Sequence, residues 1–331
     1  MRKMIVSVFI VLFVTAFSFF VYFSIKSFNI ESTQAQEPYT KPNYHLVLIP
    51  EEINNDYWKL VEKGARSAAE KLGVTLEYAG PKQANLEEHM TTIEMAAAAK
   101  VDGIMTQGLS EEQFTPLINS AIQKGIPVIT VDTDAPKSDR LAYIGTDNYY
   151  AGLLAGKALL ADTEGEVNVA IITGRFDAAH QKLRVQGFKD AIKEQERVKV
   201  TTIEDSHITR IQAAEKTYKI LQEYPEVTAF YGTSALDAIG ISQVLEQMGK
   251  TDDVYVIGFD ILPETIKLLQ TGKIEATVIQ KPYEMGYKSV ETMVKILEGK
   301  TIDEINHTET RVIHKEDLPL QENEILEVIE K

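Results

Sequence analysis

The sequence predicts an α/β fold in two lobes with parallel sheets, and three observations carry that expectation. Short β-rich apolar runs alternate with segments whose apolar residues recur every three or four positions, and alternating strand and helix periods make parallel sheets flanked by helices. The alternation passes through two similar series, one after the other. At 331 residues the chain exceeds one ordinary domain of roughly 100 to 200 residues.

The first series opens with the strand YHLVLIP, 44–50. A helix follows over 56–72, with Asn54 or Asn55 available as N-cap, Gly73 as stop, and Val61, Ala65, Ala68 and Leu72 on its buried face. Next come a strand over 74–78, a helix over 86–99, a strand over 102–107, a helix over 114–124 ended by Gly125, a strand over 126–132, and LAYIG, 141–145. The second series runs strand 166–174, helix 178–194, strand 198–204, helix 210–223, strand 227–233, helix 236–248, then strands over 253–260 and 275–280. No Gly-x-Gly-x-x-Gly or Gly-x-x-x-x-Gly-Lys follows any strand, so the phosphate cradles of dehydrogenases and P-loop NTPases lack their glycines. The Gly152–Gly156 pair in GxxxG spacing reads as close helix packing in a soluble domain.

Hydrophobic residues make up 44% of the chain and charged residues 25%, an ordinary globular balance. The net charge of -15 repels phosphate backbones and argues against a nucleic-acid partner. With no cysteine there is no disulfide, no thiolate metal site, no cysteine nucleophile and no lipid-modified N-terminal cysteine. Residues 4–25 form an uncharged apolar run of 22 residues between Arg2-Lys3 and Lys26, long enough to span a bilayer and to leave the following chain outside. An uncleaved transmembrane anchor within 1–30 is favoured over a secretory signal, whose apolar region is shorter; the best cleavage candidate, Thr33-Gln34-Ala35, lies well beyond the run. Residues 31–43 read as a polar tether and 314–331 as a C-terminal tail, its end either a short amphipathic helix or a frayed acidic segment.

Ligands of doubly wound sheets bind outside the carboxyl ends of the strands, and those ends carry a recurring chemistry here. Asn55, Tyr57 and Trp58 follow the first strand, offering an amide beside flat rings that stack on a sugar face, or a cap and two packing aromatics. Asp132 and Asp260 each end a strand, as hydroxyl acceptors or as Asx turns. Gln280 ends the last strand of the second series. Arg175 and Arg184 lie at the entrance of the helix 178–194 and within it, where a guanidinium fork matches vicinal hydroxyls or a carboxylate. The six histidines, His45, His89, His180, His207, His307 and His314, show no His-Glu-x-x-His or close metal pairing and read as surface or capping residues.

In that order and spacing, LIPEEINNDYWKLVEKGARSAAEKLGV, GIPVITVDTD, YIGTDNYYAGLLAG, RVQGF, VYVIGFD and ATVIQKPYEMG resemble the periplasmic-type sugar-binding proteins related to ribose-binding protein, and more distantly the effector domains of LacI-type repressors. The resemblance implies two Rossmann-like lobes in a domain over 44–313. Lobe 1 would hold about 41–146 and 281–309, and lobe 2 about 147–280 and 310–313. Crossings are implied near Gly145 to Asn148, Phe259 to Leu262 and Gln280 to Lys281. It further implies a cleft that closes around a sugar, with Asn55, Tyr57, Trp58, Asp132, Arg184, Asp260 and Gln280 lining it and the rings sandwiching the ligand. Thr133 stands where the family usually has arginine and Ser234 where it usually has asparagine, so a larger or differently hydroxylated ligand than ribose or galactose is expected, or contacts filled by water. No cofactor and no metal are implied. The expected function is an extracytoplasmic receptor, monomeric in its binding domain, that presents a monosaccharide-like ligand to an ABC permease; the alternative is an anchored sugar sensor signalling through a histidine kinase or chemoreceptor. A LacI-type regulator would need a DNA-binding segment before residue 44, where the apolar run stands. A glycosidase would need Asp132 and Asp260 to act as an acid and base pair, and no turnover is expected.

Overall fold

The structure is a computed structural model that describes residues 13–15, 17–23 and 44–320. The expected membrane segment 4–25 lies largely outside these, as do the tether 31–43 and the tail from 321. Residues 13–15 and 17–23 are helical with exposed apolar side chains, and among the described residues no helix is long and apolar enough to cross a membrane.

Lobe 1 contains β1 (His45–Ile49), α1 (Asp56–Leu72), β2 (Thr75–Tyr78), α2 (Leu86–Ala98), β3 (Gly103–Thr106), α3 (Glu111–Gln123), β4 (Val128–Val131) and β5 (Ala142–Thr146). Lobe 2 contains α4 (Asn148–Asp162), β6 (Val167–Thr173), α5 (Ala179–Ile192), β7 (Val198–Asp205), α6 (Arg210–Glu223), β8 (Ala229–Gly232), α7 (Asp237–Met248), β9 (Tyr255–Phe259), α8 (Pro263–Gln270) and β10 (Ala276–Ile279). The chain then supplies α9 (Pro282–Leu297), β11 (Ile305–Thr308) and β12 (Arg311–His314). One sheet is ordered β11-β5-β4-β3-β1-β2 and the other β12-β10-β9-β8-β6-β7. All pairs are parallel except β10 with β12.

Each sheet is covered on both faces, so its inner strands, such as β3, β4 and β8, are continuous buried runs rather than alternating ones. Val47, Ile104, Phe114 and Ile118 fill one side of the first sheet, and Leu48, Val61, Met105 and Met293 the other. In the second, Phe230, Ile241 and Val256 oppose Ile171, Phe188 and Tyr231. Asn55 caps α1, its Oδ1 accepting from the Tyr57 amide, and Gly73 ends that helix at φ 67°, a left-handed turn open to glycine. Helix α3 starts at Glu111, earlier than the expected 114, and tolerates Pro116 inside it. Helices α8 and α9 and the strand β11 were not among the expected elements, and α4 was expected only as the helix that carries Gly152 and Gly156.

The crossing expected near Phe259 to Leu262 does not occur. β9 and β10 pair in parallel within the second sheet with α8 between them, and Ile261 and Leu269 are buried in that lobe's core. The chain passes between sheets after β5, after β10, and between β11 and β12. Leu318 and Leu320 also pack into the second lobe's core, so the start of the expected tail is part of the fold.

Two helix pairs meet through glycine. A Cβ on Gly64 of α1 or Gly286 of α9 would overlap the backbone of the opposite helix. Gly152 of α4 and Gly187 of α5 repeat the arrangement in lobe 2, and Gly156 sits against Ala191 and Phe188, which is the packing role expected for the GxxxG spacing.

Candidate functional site

The carboxyl ends of both sheets face one cavity of about 660 Å³, within the range of roughly 300 to 1,000 Å³ usual for small-molecule sites. Two aspartates mark its opposite walls. Asp132 follows β4 with φ 66° and Asp260 follows β9 with φ 68°, a left-handed conformation that a short polar side chain tolerates. Their surroundings match: the amide of Asp132 donates to Ile144 O (2.9 Å) and that of Asp260 to Val278 O (2.8 Å). The Asp132 carbonyl oxygen lies 2.8 Å from the Tyr143 hydroxyl and the Asp260 carbonyl accepts from Thr277 Oγ1 at 2.9 Å. Backbone strain of this kind collects where side chains must be aimed.

The two carboxylates differ in what they have left to offer. Asp132 accepts from Tyr57 Oη at 2.6 Å on Oδ1, and from Gln107 Nε2 and Thr133 Oγ1, both at 3.0 Å, on Oδ2. Asp260 accepts from Gln280 Nε2 at 2.8 Å on Oδ1, and Oδ2 has no hydrogen bond among the described residues. Burial pushes the Asp260 carboxyl up to about 6, against the opposing pull of the Arg184 charge. Nearby Asp237 is likewise pushed up to about 6 by burial; it accepts from Ser206 Oγ and the Ser234 amide and so shapes the loop that presents Ser234. The Ser234 hydroxyl is buried and lines the cavity; it makes no hydrogen bond of good geometry among the described residues, though it sits near enough to Asp237 to draw that carboxyl down against the effect of burial.

Arg184 enters from α5, its guanidinium 3.7 Å above the Phe259 ring. Nε donates to Asn148 Oδ1 (2.8 Å), Nη1 to Thr233 O (2.8 Å) and Nη2 to Gln280 Oε1 (3.4 Å). Five N–H groups are available in the fork, so two remain for a ligand. Gln280, just after β10 at a crossing, also accepts from Thr146 Oγ1 at 2.6 Å, and so ties both lobes to Arg184 and Asp260.

Asn55, Tyr57, Trp58, Asp132, Arg175, Arg184, Ser234, Asp260 and Gln280 all line the cavity. Thr133 does not; it is fully buried behind Asp132. Tyr57 and Trp58, adjacent on one helix, stand at 83° to each other, so they do not form the two faces of a sandwich. Tyr57 is a core residue that points its hydroxyl at Asp132, while Asn55 spends its amide on the α1 cap and on Glu52. Arg175 meets a carboxylate of the protein itself, Glu51 Oε1, at 2.7 Å.

Among the further residues that line the cavity, Glu51, Gln107, His180 and Gln181 are buried polar groups that were not expected there. Gln107 ends the expected strand 102–107 and obeys the same strand-end rule as Asp132. His180 and His89 are buried, correcting their reading as surface or capping residues. Burial, with Arg184 and Arg175 nearby, holds the His180 imidazole well below its usual value and therefore neutral. Burial likewise lowers His89 to about 4. Among the described residues no group of three or more His, Asp or Glu could hold a metal.

The profile of the periplasmic binding protein domain matches residues 46–301. Among solved structures, GanP, a glucose-galactose binding protein from Geobacillus stearothermophilus, is 61% identical, with 84% of this chain and 99% of that chain covered and a TM-score of 0.83. A chain of the XylFII–LytSN complex is 38% identical over 84% of this chain and 99% of that one, with a TM-score of 0.79. The D-allose-binding periplasmic protein of Escherichia coli is 28% identical over 253 residues, which is 73% of this chain and 81% of the relative. Two sheets opening on one polar cleft, and a profile that spans most of the length, agree: the chain belongs to the periplasmic binding protein domain family, among its sugar-binding members.

Proposed function

We propose that this protein is an extracytoplasmic, non-enzymatic receptor for a neutral hexose, held at the membrane by residues 4–25, that closes around the sugar and delivers it to an ABC permease. The observation that carries the reading is the pairing of a free carboxylate oxygen on Asp260 with the two spare N–H groups of Arg184 and the unpartnered Ser234 hydroxyl, at the bottom of a cleft walled by Trp58. Buried acceptors and donors held ready suit a ligand rich in hydroxyls. The 61% identity to a glucose-galactose binding protein supports a hexose over a pentose. Trp58 belongs to lobe 1 and Arg184 and Asp260 to lobe 2, so a sugar packed on the one and hydrogen-bonded by the others has the differential affinity that shifts an open-closed balance.

A second reading has its own support. Similarity to a chain solved as the XylFII–LytSN complex, together with the absence of a cysteine for lipid attachment, favours a receptor that presents its closed form to a membrane sensor protein. Co-purification in detergent with a permease or with a sensor separates the two. The sugar assignment is tested with refolded, ligand-free protein by Trp58 fluorescence and thermal shift against glucose, galactose, allose, ribose, xylose and arabinose. Micromolar binding of glucose or galactose is expected; the 61% identity to a glucose-galactose binding protein outweighs the expectation from Thr133 and Ser234 of a ligand other than galactose. Silence across the whole panel would overturn the proposal.

A further inference from the structure

Two direct bridges join the lobes across the cleft. His180 on α5 of lobe 2 places Nδ1 3.0 Å from Thr133 Oγ1 of lobe 1, and Arg175 of lobe 2 pairs with Glu51 of lobe 1 at 2.7 Å. Gln107 joins their lobe 1 ends: its Oε1 accepts from the Glu51 amide at 2.7 Å, and its Nε2 reaches Asp132 Oδ2 at 3.0 Å and Thr133 Oγ1 at 3.3 Å.

The hydrogen bonds fix the direction of every proton in the first bridge. Gln181 Oε1 accepts from Thr173 Oγ1, the Gly174 amide and Thr233 Oγ1, so it is the Gln181 amide nitrogen that faces His180 Nε2 at 3.1 Å. That nitrogen only donates. His180 Nε2 therefore accepts, the ring proton sits on Nδ1 and donates to Thr133 Oγ1, and the Thr133 hydroxyl donates to Asp132 Oδ2 at 3.0 Å. Both ring nitrogens, the threonine hydroxyl and Asp132 Oδ2 are thus saturated by the protein alone. At the other end of the cavity, Asp260 Oδ2, two Arg184 N–H groups and the Ser234 hydroxyl are left over.

We propose that His180 and Thr133, backed by Arg175 and Glu51, form a clasp that closes the lobes without any ligand, and that by filling one end of the pocket it confines sugar recognition to Asp260, Arg184 and Ser234. The second half rests on the receptor reading above; the clasp itself does not. His180 is then a specificity-determining residue that excludes hydroxyls from the Thr133 end. In the open form the same groups return to water, so each bridge shifts the closed-to-open ratio by roughly two- to tenfold.

The chain has no cysteine, so Lys82→Cys on lobe 1 and Glu215→Cys on lobe 2, both exposed, accept a donor and acceptor dye for single-molecule energy transfer on refolded, ligand-free protein. The expected result is a populated closed state in the otherwise unchanged chain, whose closed-to-open ratio falls about two- to tenfold in Thr133→Val. Thr133→Val keeps the side-chain shape and leaves Tyr57 and Gln107 on Asp132, so it tests the clasp even if His180→Ala fails to fold. A ligand-free chain with no closed population, or a Thr133→Val chain with an unchanged ratio, overturns the clasp whether or not sugars bind. If Thr133→Val opens the ligand-free chain while no sugar of the panel alters the transfer, the clasp stands and the receptor reading falls. Where sugars bind, Ser234→Ala must weaken them more than Thr133→Val does; the reverse order refutes the confinement of recognition.

Discussion

Replacing Gly152 by alanine is a sharp probe of how the binding cleft is supported. A Cβ there would overlap the Arg184 carbonyl oxygen and lie 2.8 Å from its carbon and 2.9 Å from the Phe188 amide nitrogen, all backbone atoms that no rotamer change can move aside. Carbon contacts need about 3.5 Å or more, so α4 and α5 must part by roughly 1 Å. The 2.8 Å bond from Arg184 Nε to Asn148 Oδ1 runs from α5 to the first turn of α4 and would be stretched past hydrogen-bonding range. Overpacking costs about 1 to 3 kcal/mol and a lost hydrogen bond to a charged group about 1.5 to 3 kcal/mol, together on the order of 4 kcal/mol. With an unfolding entropy of about 2.1 cal/mol/K per residue, a domain of this size loses about 7 °C in Tm. Circular dichroism melting of the ligand-free protein reads the first effect and isothermal titration calorimetry the second, an affinity loss of roughly tenfold as Arg184 shifts. A variant that melts within 1 °C of the parent and binds sugar equally well would refute the close-contact argument.

Two other outcomes are expected. A hydroxyl donating to Asp260 needs the carboxylate, whose pKa is raised to about 6 by burial, so sugar affinity should be flat above pH 7 and fall as pH drops through 6, by up to tenfold per unit, with Asp260→Asn binding weakly and without this dependence in calorimetry. In the ligand-free fold the sign is opposite: a carboxyl raised above its unfolded value of about 3.9 takes up a proton on folding, so its contribution to stability grows as pH falls through 6 and is complete below about 4. As for the anchor, membrane-extracted protein should begin at or near Met1 by N-terminal sequencing and resist salt and carbonate extraction; a soluble product starting near Gln36 would refute an uncleaved anchor.

The βα alternation was legible because buried parallel strands such as VITV and AFYG are uniformly apolar and sit between amphipathic helices. Helix α4 was legible only at its Gly152 and Gly156 packing site and not in extent, because its buried face is built of Ala151, Gly152, Ala155, Gly156 and Ala158, residues too small to raise an apolar stripe. The short α8 and proline-led α9 lack the N-cap signal of α1. The strand-end rule led to Asp132, Asp260 and Gln280, since a parallel sheet delivers those positions to one rim whatever the side chain. The same rule applied to Gln107 and was not followed there. His180 was invisible for a different reason: whether an imidazole in a polar helix is buried depends on what the opposite lobe brings to it, and Thr133 lies 47 residues away. The false crossing at Phe259 to Leu262 has a similar origin, because a tight strand-to-helix turn and a passage between lobes look alike locally.

The glycine contacts have a mechanical consequence. The crossing after β5 runs into α4, and the crossing after β10 runs into α9. Each of these helices is meshed backbone to backbone with the helix that carries the cleft residues of its lobe: α9 with α1, which bears Tyr57 and Trp58, and α4 with α5, which bears His180 and Arg184. A torque at the crossings is therefore geared straight to the cleft side chains, with no compliant side-chain layer in between to absorb it. The same gearing runs in reverse, so a shift of the cleft residues is carried through the glycine contacts to the outer surfaces of α4 and α9.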